Sequence, residues 1–102
     1  MRKIIAGQAF EWDDEKERKN LSSHGLDFET ATHVFEDSLR IERIDYKHST
    51  ADELRFFTIG MVGEMIAVVA VVYAERGDAI RIISARIATK EEQEEYLWHT
   101  KQ

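Results

Sequence analysis

The stretch ELRFFTIGMVGEMIAVVAVVYAERGDAIRIISARI, residues 53–87, decides the fold. It holds three apolar runs separated by two short breaks, Val62-Gly63-Glu64 and Arg76-Gly77-Asp78. Breaks this short join antiparallel strands, because a parallel pair needs a long crossover. The stretch therefore predicts a meander of strands over Glu53–Met61, Met65–Tyr73 and Ala79–Ile87. The first carries Arg55, Phe57, Ile59 and Met61 in one phase. The second is apolar almost throughout, as a central strand should be. The third sets Ile80, Ile82, Ser84 and Arg86 on one phase and Arg81, Ile83 and Ala85 on the other. Arg86 then shares an apolar phase, where a charge needs a partner or a purpose.

Upstream, Leu39–Tyr46 alternates loosely and reads as a further strand, followed by a polar turn from His48 to Asp52. Ala9-Phe10-Glu11-Trp12 suits a brief first strand. Asp13 and Asp14 then offer an N-cap and an acidic first turn for a helix that runs to His24 and stops at Gly25. Trp12, Lys16, Asn20 and His24 recur every four residues and form one stripe. Asp27 caps a second helix with Phe28, Ala31, Val34 and Phe35 as its apolar set, ending near Asp37-Ser38. Downstream, Thr89 and Glu92 have capping-box spacing and open a terminal helix, with Tyr96 and Leu97 turned inward. The order is strand, two helices, four strands, helix. It predicts one α+β domain over residues 1–102, with two N-terminal helices and one C-terminal helix packed on an antiparallel sheet.

Composition narrows the function. The chain has 102 residues, no cysteine and no proline. Lack of cysteine removes disulfides, thiolate metal sites and a cysteine nucleophile. No stretch reads as a signal peptide or a membrane span, since the most apolar run, Met65–Ala74, is about half the length a span requires. A soluble, cytoplasmic protein with no membrane partner is expected. The net charge of -6 argues against coating by nucleic acid through bulk charge. That charge is unevenly spread: residues 1–38 carry net -4, residues 39–90 net +1 and residues 91–102 net -3. The middle block holds six of the eight arginines, Arg40, Arg43, Arg55, Arg76, Arg81 and Arg86. Arginine matches phosphate best, because its planar fork donates two parallel hydrogen bonds. Such arginines also serve as ordinary solvated charge on a strand's outer face.

Motifs for cofactors are missing. There is no Gly-rich phosphate loop and no Gly-flanked serine, and His24, His33, His48 and His99 form no ligand-spaced pair. No metal and no cofactor are expected. The remaining toolkit is Arg, His, Glu, Lys and Tyr, which is enough for metal-independent RNA cleavage. There the 2′-hydroxyl is the nucleophile, and the protein supplies a base, an acid and cations for the phosphorane. Each candidate also has a plainer reading. His24 can be a helix-terminal imidazole, Lys16 and Asn20 solvated helix surface, Tyr96 a core residue with a wet hydroxyl, and Trp12 core.

The residues carry a resemblance. Phe10-Glu11-Trp12-Asp13, Lys16, Asn20 and His24-Gly25 form one series, followed by Phe28, Ala31 and Phe35-Glu36-Asp37. Glu53-Leu54-Arg55, Gly60, the block Arg81-Ile82-Ile83-Ser84-Ala85-Arg86, Ala88-Thr89 and Tyr96 complete it. With these the chain resembles the BrnT family, toxins of type II toxin–antitoxin systems with a RelE-like fold. The resemblance implies a ribonuclease that inhibits translation and causes growth arrest. It also implies neutralisation by a BrnA-like antitoxin, which binds operator DNA so that the pair represses its own operon. Carried onto this sequence, Arg55 and Arg86 are the expected catalytic cations, with Glu53 or His24 as base or acid and Tyr96 orienting substrate. Lys16, Arg76 and Arg81 are expected to bind RNA. The chain departs from the family pattern at Ser23, Ser38 and Gln93, where a basic residue, a proline and an arginine are usual.

Two other functions stay open on the sequence. One is a non-catalytic module that docks a DNA-binding partner, its arginines pairing with the partner's carboxylates. The other is a structural domain whose arginines pair only with its own Glu42, Glu53 and Asp45.

Overall fold

A computed structural model describes residues 1–101. Its elements are β1 (Arg2–Ile5), β2 (Gln8–Glu11), α1 (Asp14–His24), α2 (Phe28–Ala31), a 3₁₀ helix (Thr32–Glu36), β3 (Ile41–Ile44), β4 (Arg55–Val62), β5 (Ala67–Arg76), β6 (Ala79–Ile87) and α3 (Lys90–Thr100). The strands form one six-stranded sheet in the order β1-β2-β6-β5-β4-β3.

The β4–β5–β6 meander forms as expected, antiparallel throughout. The sheet as a whole is mixed, which corrects the all-antiparallel expectation. β2 runs parallel to β6, with Phe10 opposite Ile80 and Glu11 opposite Arg81. Both helices and three strands separate β2 from β6 in the chain, so the connection is long enough for parallel pairing. A sixth strand was also missed. β1 folds back on β2 through Ala6 and Gly7, both at positive φ (51° and 81°), which suits a two-residue hairpin turn.

Helix boundaries follow local chemistry. The Asp13 carboxylate accepts from the Lys16 N–H, and Gly25 closes α1 at φ 69° with its N–H on the Leu21 carbonyl. The Asp27 side chain caps α2, but only one α-turn forms before the chain tightens into the 3₁₀ helix. Thr89 and Glu92 form the anticipated capping box. Leu97 corrects the reading of α3, because it stands about half exposed while Tyr96 is buried.

The sheet has a covered face and a half-covered face. On the first, α1, α2 and the 3₁₀ helix bury Phe10, Trp12, Phe28, Val34, Val69, Val71, Tyr73, Ile82 and Ala85 together. On the second, α3 covers only one end, over Ile59, Val68, Ala70 and Tyr96. Each fully buried Val, Ile or Phe side chain contributes about 1.5–3 kcal/mol.

One irregularity moves Arg86. Val72 opposes Ser84 but Tyr73 opposes Ile82, so Ile83 is an extra residue, a β-bulge. The bulge resets the alternation. Ile82 and Ala85 both face the helix-covered side, while Ser84 and Arg86 face the other. Arg86 therefore does not share a phase with Ile80 and Ile82, as unbroken alternation implied.

Two polar anchors lock the helices to the sheet. β2 stops at Glu11, so further along β6 the backbone on that side lacks a strand partner. The buried Asn20 side chain takes the place of one, accepting from the Ala85 N–H (3.1 Å) and donating to the Ala85 carbonyl (2.7 Å) and the Leu26 carbonyl (2.9 Å). Asn20 is thus not solvated helix surface. At the other edge, Asp37 accepts from the Met61 N–H (2.8 Å) beyond the end of β3, and the Tyr96 hydroxyl donates to the same carboxylate (2.5 Å). This close approach requires Gly60, whose Cβ would sit 2.8 Å from Val34 Cγ2.

Candidate functional site

Strand register gathers the arginines. On the half-covered face, side chains line up in rows across the sheet. One row holds Arg55, Ala74 and Arg81; the next holds Arg43, Phe57, Val72 and Ser84; a third holds Ile41, Ile59, Ala70 and Arg86. Four of the six arginines in the middle block thus share one face around an apolar floor. Helix α3 borders this floor at the Arg86 end. A groove of about 530 Å³ runs across it, lined among others by Arg43, Phe57, Val72, Ser84, Arg86 and Glu92. That volume lies within the range of about 300–1,000 Å³ typical of binding sites.

The Arg86 guanidinium is held by two partners. Its Nη1 and Nη2 donate to the two oxygens of Glu92 (2.7 and 3.1 Å), and it lies 5.9 Å from the centre of the Phe57 ring. Glu92 also accepts from the Thr89 N–H, so the capping box that starts α3 places the carboxylate that positions Arg86. Each charge favours the other: Arg86 is first among the causes that hold the Glu92 carboxyl below its usual range, and Glu92 raises the guanidinium. Arg43 pairs with Glu95 on the same helix.

Glu53 sits between two cations, corresponding to the ion-paired reading. Arg76 donates to Oε2 (2.9 Å) and Arg55 Nε to Oε1 (3.3 Å). Arg76 foremost, then Arg55, outweigh desolvation and hold the Glu53 carboxyl below its usual range. It stays ionised at neutral pH and is a weak proton acceptor there. Arg81 makes no hydrogen bond or ion pair among the described residues, and its charge reaches Asp13.

The remaining sequence candidates lie elsewhere. His24 is exposed at the C-terminus of α1, the helix packed on the opposite face. Lys16 is exposed on the first turn of the same helix. Tyr96 is buried, with its hydroxyl committed to Asp37; burial first, then that carboxylate, push its phenol up to about 12. The fold therefore brings Arg55, Arg81 and Arg86 onto one face with Glu53 and Arg76 at its rim, and does not bring His24 or Lys16 there.

The groove also contains residues that the sequence reading passed over. Asp45, Tyr46, Lys47 and His48 line it from the loop after β3. His48 was read only as the start of a polar turn. The Asp45-x-x-His48 spacing was the available signal. Among the described residues, no three His, Asp or Glu side chains gather as a metal site, and no helix is long and apolar enough to cross a membrane.

Comparison with known proteins supplies the family. Residues 12–92 match the family described as ribonuclease toxin, BrnT, of type II toxin–antitoxin system. A search of curated proteins gave no significant match. The match begins at Trp12 and ends at Glu92, so it spans α1, the meander and the carboxylate that grips Arg86. The chain belongs to the BrnT family of ribonuclease toxins of type II toxin–antitoxin systems.

Proposed function

We propose that this protein is a metal-independent endoribonuclease that acts in the cytoplasm, cuts RNA on the half-covered sheet face and so inhibits translation. The observation that carries the reading is the set of arginines on one face: Arg55 and Arg81 in one row, Arg43 in the next and Arg86 in the third. In this reading Arg86 and Arg55 neutralise charge on the phosphorane, Arg81 and Arg76 bind flanking phosphates, and the Phe57 floor accommodates a base. Glu53 orients Arg55 and Arg76. Tyr96 acts by seating α3, which carries Glu92. Lys16 and His24 lie behind the sheet, away from this face.

The partner we assign is a BrnA-like antitoxin, which would bind operator DNA and let the pair repress their operon. RelE-like is the fold group to which the family resemblance points. The acidic α3, with Glu91, Glu92, Glu94 and Glu95, offers a basic partner segment a complementary surface.

The test is inducible expression in bacteria, with and without the neighbouring reading frame. Growth arrest that Arg86→Ala abolishes in a folded protein, and that the neighbour relieves, supports the proposal. No growth effect and no RNA cleavage at any pH refutes it. A non-catalytic docking module is the second reading, favoured by the prior pairing of Arg43, Arg55, Arg76 and Arg86 with internal carboxylates. It predicts partner binding without toxicity.

A further inference from the structure

The loop between β3 and β4 is built, not slack. The Asp45 N–H donates to the Arg55 carbonyl (2.9 Å), continuing the β3–β4 ladder by one residue. The Ser49 hydroxyl donates to the Asp45 carbonyl (2.7 Å) and accepts from the Arg55 N–H (2.9 Å). Thr50 and Glu53 close the loop's end, the Thr50 N–H on the Glu53 carbonyl and the Glu53 N–H on the Thr50 hydroxyl. These bonds fix both ends of the turn from which His48 lines the groove.

Within that turn His48 has one ring nitrogen engaged. Nδ1 lies 2.7 Å from Asp45 Oδ2, and the His48 N–H donates to the other Asp45 oxygen (3.3 Å). The Asp45 side chain is only 14% exposed while the imidazole is 55% exposed, so the carboxylate is the anchored partner and the ring the accessible one. A carboxylate on Nδ1 selects the tautomer with the proton there. That leaves the Nε2 lone pair free, the arrangement by which an acidic residue prepares an imidazole as a base. Arg86, Arg43 and Phe57 line the same groove.

Resting on the ribonuclease reading, we propose that His48 is the general base of this site, with Asp45 as its positioning residue. His48 Nε2 takes the proton of the RNA 2′-hydroxyl. The 2′-oxygen then forms a bond to the adjacent phosphorus, and the bond from phosphorus to the 5′-oxygen breaks. The departing 5′-oxygen takes a proton from solvent water, and His48 returns its proton to solvent. The products are a 2′,3′-cyclic phosphate and a 5′-hydroxyl. The charged and titratable groups that line the groove with His48 are Asp45, Tyr46 and Lys47 on its own loop, Arg43 on β3, Arg86 on β6 and Glu92 on α3. The exposed Tyr46 lines the same groove and can stack on a base next to the cut.

The experiment measures single-turnover cleavage of a synthetic oligoribonucleotide in EDTA across a pH series, for the wild type, His48→Ala, His48→Gln and Asp45→Asn. Circular dichroism checks that each variant is folded. The oligonucleotide sequence is taken from a site that the wild type cuts in total RNA. Loss of about 10²–10⁴-fold in both His48 variants is expected. Wild-type activity should fall on the acid side, that limb should vanish in His48→Ala, and added imidazole should restore part of the rate. Asp45→Asn should lose less. A folded His48→Ala within threefold of wild type, with an unchanged pH profile, overturns the proposal while leaving the ribonuclease reading intact. So does a loss that imidazole does not rescue and that leaves the pH profile unaltered. A wild type that cuts no RNA at all overturns both.

Discussion

Replacing Asn20 by alanine tests whether the motif asparagine builds the fold or touches RNA. Its amide makes three buried hydrogen bonds, two to the backbone of Ala85 and one to the Leu26 carbonyl. Alanine leaves one N–H and two carbonyls without those partners. Each buried unsatisfied group costs about 1–3 kcal/mol. The better helix propensity of alanine returns about 0.5 kcal/mol. Three such groups less that return give a net loss of about 2.5–8.5 kcal/mol, a large part of the ~5–15 kcal/mol that holds a domain of this size. At about 4–8 °C per kcal/mol, Tm should fall by about 10 °C or more. Urea unfolding followed by circular dichroism measures it directly. Asn20→Asp should be at least as damaging, because it keeps the acceptor for the Ala85 N–H but turns a donor into an acceptor facing two carbonyl oxygens. An Asn20→Ala variant within 0.5 kcal/mol of wild type, as an order-of-magnitude bound on a neutral change, refutes the reasoning. If that stable variant also lost toxicity, the asparagine would belong to the RNA site instead.

Three further outcomes follow from the packing and the charges. Gly60→Ala puts a methyl 2.8 Å from Val34 Cγ2 and 3.0 Å from Arg40 Cβ, and overpacking of that kind costs about 1–3 kcal/mol, readable as a lowered urea midpoint. Ile66 stands 85% exposed at φ 53°, a left-handed conformation that costs a β-branched residue about 1–2 kcal/mol, so Ile66→Gly should raise stability or at least leave it unchanged. Burial raises the Asp37 carboxyl, but donors from Tyr96, Met61 and Leu39 together with the Arg40 charge outweigh it and hold the group below its ordinary 3.8. A lowered folded pKa means stabilisation that is complete above the unfolded value and lost as pH falls through the folded one. Stability measured from pH 5 downward should therefore decline, and less steeply in Asp37→Asn.

Much of the fold was legible because its signals are local. The Asp13, Asp27 and Thr89 caps, the Gly25 stop and the bounds of β6 all rest on residues a few positions apart. What was not legible depends on distant partners. The parallel β2–β6 pairing and the use of the Asn20 amide as a substitute strand involve residues about 65–70 positions apart, and no periodicity announces them. The Ile83 bulge is a one-residue slip that reverses the phase of everything after it, so alternation read through it put Arg86 on the wrong face.

The candidate site divides along the same line. Arginine chemistry was visible in the sequence, and register then gathered Arg55, Arg81 and Arg86 onto one face. The pairing of Arg86 with Glu92 was not read, although the capping box that positions Glu92 was. Arg86 reaches substrate only if phosphate competes with a bidentate carboxylate or uses the guanidinium edge that remains. The same pairing keeps the fork pre-oriented over Phe57, which lowers the entropy lost on binding. His24 and Lys16 are exposed on α1, which packs behind the sheet, a placement that spacing within α1 could not reveal.

We propose that the arginine face cuts RNA without a metal. The most direct measurement is cleavage of total RNA by the purified protein in excess EDTA, comparing wild type with folded Arg55→Ala and Arg86→Ala. The account predicts that wild type cuts, leaving cyclic phosphate ends, and that each variant loses at least about tenfold, with Arg86→Ala losing more. Cleavage that EDTA abolishes, or full activity in both variants, would contradict it.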